Sequence, residues 1–302
     1  MEYRTLGRTG LKVSSIGLGC VTFGREIDRR TSFDVLDRAI DRGVNLLDTA
    51  AAYGSGASEM VLGRWMTERG MRDRIVLATK VSGLLSSKAI RESVEGSLRR
   101  LQTDRIDLLQ MHTWDEHTPL EETLEALNGL ITSGKACYGG CSNWTAGQVR
   151  TALVAADTRG WHRLESLQPI YNLVDRRIEQ EMLPLCAEQE LGLLTYSPLG
   201  AGFLTGKYLP GGNVPKGTRF DVIPGHQRIY FTDHGFQVVE RLRRIAKQTG
   251  HSMPRLALSW VFGRPGVTSV LIGARHPDHV DQAFQAERGR LPAELVNQLD
   301  RL

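Results

Sequence analysis

Eight short apolar runs, each followed by a longer segment with helix signals, set the strongest limit on how this chain can fold. The runs are Ile16–Gly19, Asn45–Leu47, Ile75–Ala78, Ile106–Leu109, Ala136–Gly139, Ser166–Gln168, Leu193–Thr195 and Ser269–Ile272. A strand that reads as a continuous apolar run is covered on both faces, as strands of parallel sheets are. Strands alternating with helices imply right-handed crossovers between parallel neighbours. Eight such units close into a (β/α)8 TIM barrel. Residues Tyr3 to Val13, two extended pieces around Gly7 and Gly10, read as a hairpin outside the repeat. An open doubly wound sheet is the competing architecture, and the lack of a G-x-G-x-x-G after an early strand counts against it.

The connecting segments carry their own punctuation. Thr31 is placed to cap a helix whose Phe33, Leu36 and Ile40 share one face. Pro119 precedes another, with Glu121 and Glu122 in its first turn and Leu120, Leu124, Leu127 and Leu130 on one side. Gly43, Gly70, Gly134 and Gly192 follow helical stretches where a left-handed C-cap is expected. One connection breaks the rhythm: Leu199 to about Asp233 is rich in Gly and Pro, and a loop of that length is a lid, a binding loop or disordered. Two helices (about His234–Gln248 and Pro254–Phe262) and a short one in Pro292–Leu302 are expected beyond it. The 302 residues then read as one barrel domain.

Composition removes several function classes. Apolar residues make up 41% and charged residues 24%, ordinary for a globular protein, and the net charge of +4 is slight. Pairs such as Arg29-Arg30, Arg99-Arg100 and Arg243-Arg244 read as solvated helix faces, so no nucleic-acid partner is expected. No apolar window approaches the length of a membrane span, and Met1-Glu2-Tyr3-Arg4 lacks the apolar core of a signal peptide. Cys137 and Cys141, four apart along a strand, would lie roughly 13 Å from each other, too far to bridge. The four cysteines read as buried thiols of a reducing compartment, and a cytoplasmic location is expected.

Catalytic groups of such a barrel sit at the carboxyl ends of the strands. The second run stops on Asp48, with Tyr53-Gly54 just beyond a small-residue turn. The third ends on Lys80, the fourth on His112, the fifth on Ser142-Asn143, the sixth on Gln168 and the seventh on Tyr196-Ser197. A buried carboxylate needs a cation beside it, and later strands supply one. Polar groups at six successive strand ends are hard to explain by packing.

The ordered set Asp48, Tyr53, Lys80 and His112 resembles the catalytic four of the aldo-keto reductase family. Gly17-Leu18-Gly19, Asp48-Thr49-Ala50, Cys141-Ser142-Asn143, Tyr196-Ser197-Pro198-Leu199, Leu204-Thr205-Gly206-Lys207-Tyr208 and Ile272-Gly273-Ala274-Arg275 are similar to its other motifs. The likeness runs from Tyr3 to about Ala286 and is nearest to a bacterial branch similar to the β subunits of potassium channels. It implies reduction of a small aldehyde or ketone, with Tyr53 as proton donor. An isolated phenol has a pKa of about 10, and a Lys80 ammonium beside it is expected to lower that value. Asp48 would hold Lys80, and His112 would aim the carbonyl oxygen.

The resemblance also implies a nicotinamide dinucleotide. Ser142, Asn143 and Gln168 would hold its carboxamide and Tyr196 would stack on its ring. Gly19, Ser197, Leu199 and Gly273 would line its path, with Lys207 and Arg219 as candidates for the pyrophosphate. Arg275, at a helix start, suits a 2′-phosphate, which favours NADPH over NADH. This chain departs from the family pattern at His279, where Gln is common, and at Ala283, with Gln282 beside it. Phe23, Trp114, Trp144 and Tyr230 or Phe231 are expected around the mouth as an aromatic rim. Two other classes compete: a cofactor-sensing binding protein with little turnover, and a metal-dependent barrel hydrolase. No metal is expected, because the strand ends carry no His-x-His pair or carboxylate cluster.

Overall fold

The eight apolar runs are the eight strands of a closed barrel. The computed structural model describes residues 1–302. Strands β1 (Tyr3–Thr5) and β2 (Lys12–Ser14) form an antiparallel hairpin. Strands β3 (Ile16–Gly19), β4 (Leu46–Asp48), β5 (Val76–Val81), β6 (Ile106–Met111), β7 (Ala136–Ser142), β8 (Leu164–Gln168), β9 (Gly192–Tyr196) and β10 (Ser269–Gly273) follow. They pair in parallel in chain order, and β10 closes on β3.

Helices α1 (Arg29–Asp41), α2 (Ala57–Arg69), α3 (Ser87–Leu101), α4 (Leu120–Thr132), α5 (Ala146–Arg159) and α6 (Met182–Glu188) each follow one strand from β3 to β8. Short α7 (Arg219–Val222) and α8 (Gln227–Tyr230), then α9 (Asp233–Thr249) and α10 (Met253–Phe262), lie between β9 and β10. Helices α11 (Pro277–Arg288) and α12 (Ala293–Asp300) end the chain. This is the (β/α)8 TIM barrel with its N-terminal hairpin. No helix is long and apolar enough to cross a membrane.

Side-chain alternation along the strands divides the interior in two. Outward residues and the helices make a large cluster that includes Leu47, Leu77, Leu109 and Leu193. Inward residues Leu46, Ala78, Leu108, Leu194 and Leu271 make a small one, closed from below by Leu6 and Val13 of the hairpin. Here an expectation fails. Gly192 is the first residue of β9 and not a left-handed helix end; a Cβ on it would lie 2.3 Å from Leu6 Cδ1. The left-handed residue at that turn is Glu190, with φ of 53°. Gly43, Gly70 and Gly134 do adopt the left-handed conformation expected of them.

The start of α1 also differs. Asp28, three residues earlier, is its cap and accepts from the Thr31 amide at 2.8 Å. A carboxylate at that position also complements the helix dipole. Cys20, Cys141 and Cys186 are buried, but Cys137 is exposed on β7.

The Gly/Pro-rich connection is better ordered than a bare loop. It contains a 3-10 turn (Gly200–Thr205) with α7 and α8, and packs Phe203, Tyr208, Phe220, Tyr230, Phe231 and Phe236 into a shared aromatic cluster. Aromatic pairs at centroid distances such as the 4.9 Å of Tyr208–Phe220 are well packed. Tyr230 is therefore 1% exposed and is no rim residue. The tip, Leu209 to Gly217, is its longest exposed stretch, where every residue but Val214 is exposed.

Candidate active site

The sequence at the mouth explains its own geometry. Inward-facing positions recur every second residue along a strand, so Lys80 and Gln110, paired in register between β5 and β6, point into the barrel just above Ala78 and Leu108. Asp48 ends β4 beside them. The chain then turns through Ala50-Ala51-Ala52 to Tyr53, the first residue of a 3-10 turn, Tyr53–Gly56. Gly54, Ser55 and Gly56 are all left-handed, at φ 57°, 55° and 93°. That run turns the chain from Tyr53 into α2.

The Lys80 ammonium spends its three hydrogens on three partners. It donates to Asp48 Oδ2 at 2.5 Å, to the Thr49 carbonyl at 3.0 Å and to the Tyr53 hydroxyl at 3.3 Å. Asp48 Oδ1 accepts from the side-chain amides of Gln168 (2.8 Å) and Gln110 (3.3 Å). Both charges are buried, at 1% and 2% exposure, yet every donor and acceptor is used. Burial pulls the Lys80 pKa down, but Asp48 and Tyr53 outweigh it and leave the amine above its usual value.

Tyr53 departs from expectation. Burial raises its pKa and Lys80 offsets only part of that, so the phenol lies above its usual value of 10.0. His112 stands edge-on to Tyr53, with ring centroids 5.6 Å apart. Its Nδ1 lies 2.7 Å from Ser82 Oγ. Burial, helped by the Lys80 charge, lowers its pKa from 6.5 to about 4.

A polar shelf continues around the mouth. Ser142 Oγ donates to the Gln168 carbonyl at 2.6 Å. Asn143 Nδ2 donates to the His112 carbonyl at 3.0 Å, and Asn143 Oδ1 accepts from the Tyr196 hydroxyl at 2.8 Å. Asn143 and Ser197 have φ of 59° and 56°, a strained conformation for residues with a Cβ, and it falls at the two strand ends of this shelf. Gly19 closes β3, Leu199 is the cap residue just before the 3-10 turn beyond Ser197, and Gly273 is exposed at the end of β10.

The long connection is strapped to the loop after β3 and to the residues following β10. Arg219 donates to Glu26 Oε1 at 2.9 Å, and Arg275 Nη1 donates to the Gly217 carbonyl at 2.6 Å. Arg25 also binds Glu26, at 2.6 Å. Arg275 Nη2 is buried without a hydrogen-bond partner, and 3.9 Å from Glu26 it is at the edge of ion-pair range. The Lys207 ammonium makes no hydrogen bond or ion pair and lies over the Tyr208 ring. His279 Nδ1 accepts from the Arg275 amide at 3.2 Å, and Gln282 is exposed farther along α11.

Besides Tyr230, two more of the expected rim residues are packing residues. Phe23 is fully buried, and Trp144 is 4% exposed with its ring edge-on to Trp114 at 4.7 Å. Trp114 is partly buried against the outer core. Gln110, Ser82 and Glu26 were not singled out from the sequence. Gln110 could have been found as an amide two residues beyond Leu108 in an apolar strand, at the same inward parity as its register partner Lys80.

The aldo/keto reductase family profile matches residues 15–302. The chain belongs to the aldo-keto reductase family. It is 35% identical to an uncharacterised oxidoreductase, YrpG, of Bacillus subtilis, over 99% of this chain and 95% of that one. It is 36% identical to the aldo-keto reductase YhdN of the same organism, over 93% and 87%. A probable voltage-gated potassium channel β subunit of Oryza sativa is 37% identical, over 95% and 91%. Membership places the chain among oxidoreductases. No group of three or more His, Cys, Asp or Glu residues able to hold a metal ion occurs in the chain.

Proposed function

We propose that this aldo-keto reductase reduces small aldehydes and ketones with NADPH, with Tyr53 as the proton donor. The observation that carries the reading is the contact chain Asp48–Lys80–Tyr53, at 2.5 and 3.3 Å, with His112 beside it. A phenol held above its usual pKa is fully protonated at neutral pH, as a proton donor must be. As the carbonyl carbon accepts hydride, Tyr53 gives its proton to the carbonyl oxygen. The phenolate left behind is stabilised by the Lys80 ammonium, whose own charge is held by Asp48. In the tautomer where the Ser82 hydroxyl donates to Nδ1, the neutral His112 ring carries its proton on Nε2 and donates it to the same oxygen.

The residues of the mouth fit a nicotinamide dinucleotide. The buried Nη2 of Arg275, which has no hydrogen-bond partner, and the unpaired Lys207 are donors free for an anion, and a 2′-phosphate and pyrophosphate supply one each. Ser142, Asn143 and Gln168 would hold the carboxamide, and Tyr196 would face the ring. Gly19, Ser197, Leu199 and Gly273 would border the groove, under the strap carrying Arg219, with His279 and Gln282 toward the adenine end. Bound there, the cofactor would supply the hydride. Trp114 is left as the aromatic neighbour of a substrate.

The likeness to potassium channel β subunits favours one second reading, a protein that binds the nicotinamide cofactor as a sensor and turns over little. Oxidation of NADPH followed at steady state against a panel of aldehydes separates the two. Tyr53→Phe is expected to lower kcat by about 10³-fold or more while NADPH still binds, the scale of a lost general acid. A Tyr53→Phe protein with near-normal kcat would remove the proton donor from the scheme.

A further inference from the structure

We propose that the ion pair between the buried Glu59 and the partly exposed Arg100, on the outer side of the barrel wall, is a positioning device that sets the Tyr53–Lys80 separation. The proposal rests on the reading of Tyr53 as proton donor. Glu59 is fully buried in the first turn of α2. Its two oxygens reach in different directions. Oε1 accepts from Thr79 Oγ1 at 2.6 Å, and Oε2 accepts from Arg100 Nε at 2.7 Å.

Each link leads to one member of the catalytic pair. Thr79 is the residue before Lys80 on β5, so its side chain points outward where that of Lys80 points inward. A carboxylate fixed to Thr79 therefore holds the strand segment that carries the amine. Arg100, on α3, leads to the other member. Its side chain runs against Gly56 so closely that a Cβ there would lie 2.6 Å from Arg100 Cδ. Gly56 closes the turn that begins with Tyr53, and Ser55 in that turn holds a left-handed φ of 55°. A strained conformation persists only where its surroundings hold it. Gly63 and Gly96 leave room for the arginine, because a Cβ on Gly63 would lie 2.4 Å from the Arg100 carbonyl oxygen and one on Gly96 would lie 2.9 Å from Nη1. Thr49 and Ser58 add a parallel tie from β4 to α2, with their hydroxyls 2.8 Å apart.

One carboxylate thus joins the strand of Lys80 to the turn of Tyr53 without touching substrate or cofactor. The site needs such a brace because the Lys80–Tyr53 contact, at 3.3 Å, is the longest in the ammonium's set. Proton transfer from Tyr53 depends on that contact, whereas cofactor binding does not. Loosening the brace therefore acts on kcat and leaves the cofactor Kd alone. It also weakens the hold of Lys80 on the phenolate, so the basic limb of the pH profile moves to higher pH.

The test uses the full chain with NADPH and 4-nitrobenzaldehyde. Glu59→Gln, Thr79→Val and the apolar double variant Glu59→Leu/Arg100→Met are compared for kcat, KM, pH profile, NADPH Kd by fluorescence and Tm. Replacing both partners by apolar side chains leaves no buried carboxylate without its cation, so the double variant separates stability from placement. The expected result is a kcat at least tenfold lower in Glu59→Gln and the double variant, a smaller fall in Thr79→Val, and NADPH Kd within twofold of the parent. A kcat within twofold of the parent in the folded double variant overturns the proposal. If the double variant does not fold, Thr79→Val decides alone: an unchanged kcat and pH profile overturns it. Tyr53→Phe is run beside them. If that variant keeps its turnover, the proton-donor reading fails; if it is dead while the Glu59 variants are normal, only the positioning role fails.

Discussion

Two side chains at the mouth are tuned by burial more than by charge, and their tuning has a measurable consequence. Burial lowers the His112 pKa to about 4 and raises that of Tyr53 above 10.0. A histidine lowered from 6.5 stays neutral as pH falls through 6, and a phenol raised above 10 stays protonated as pH rises through 9. Reduction by kcat/KM is therefore expected to be flat between these limits, with an acidic limb near pH 4 and a basic limb above pH 10. An acidic limb near 6.5 would put an ordinary, solvated imidazole in the site. The sign for stability is the same: neutral His112 favours the fold fully above pH 6.5, and that contribution is lost as pH falls toward 4. The order of Asp48, Tyr53, Lys80 and His112 was legible in the sequence; the balance at Tyr53 was not, because desolvation depends on what packs around the phenol. Arg275 gives a second test. With Nη2 buried and without a hydrogen-bond partner, Arg275→Ala is expected to weaken NADPH by about tenfold or more, roughly 1.4 kcal/mol, and NADH much less. Equal losses for the two cofactors in a fluorescence titration would take the 2′-phosphate away from this residue.

At the level of elements, apolar runs and their spacing made the strands readable, since a parallel strand covered on both faces has few other sequences open to it. What stayed hidden was any feature set by contacts distant in sequence. Gly192 carries no local sign that it is small to seat Leu6, 186 positions earlier. Phe203, Phe220 and Tyr230 look like scattered loop aromatics until they meet in one cluster. Asp28 displaced Thr31 as the cap of α1 because a carboxylate three residues ahead of a helical amide is an equally good acceptor, and only the backbone angle decides between them. The hairpin offers a test of the division between a stabilising floor and a catalytic mouth. Leu6 is fully buried among inward residues of the strands. Leu6→Ala is expected to lower unfolding free energy by about 2–5 kcal/mol, as large core truncations do. Turnover by the folded protein should stay close to that of the parent, because the floor lies at the far end of the barrel from Lys80. A urea midpoint unchanged within error would mean that the hairpin does not seal the interior.

Over the whole molecule, the last turn of the chain is tied back to the middle of it. Asp300 Oδ1 accepts from Trp260 Nε1 at 2.8 Å and from Arg264 Nη1 at 2.6 Å, and its carbonyl accepts from Arg176 Nη1 at 2.7 Å. Arg176 in turn binds Glu179, which accepts from the Tyr171 hydroxyl at 2.6 Å. Helix α12 also buries Leu295 and Leu299 in the outer core. The segment between β8 and α6, helix α10 and the chain's end therefore share one polar network over one apolar cluster. We propose that residues 1–302 unfold as a single unit for this reason, with the C-terminal helices part of the barrel and no separate layer. Asp300→Ala leaves the indole N–H and a guanidinium of that network without their acceptor, at a cost of about 1–3 kcal/mol. It is expected to lower Tm by several degrees in one transition, with near- and far-ultraviolet circular dichroism changing together. A biphasic melt, with the tryptophan signal lost before the helical signal, would mean that the tail unfolds by itself and that the barrel stands without it.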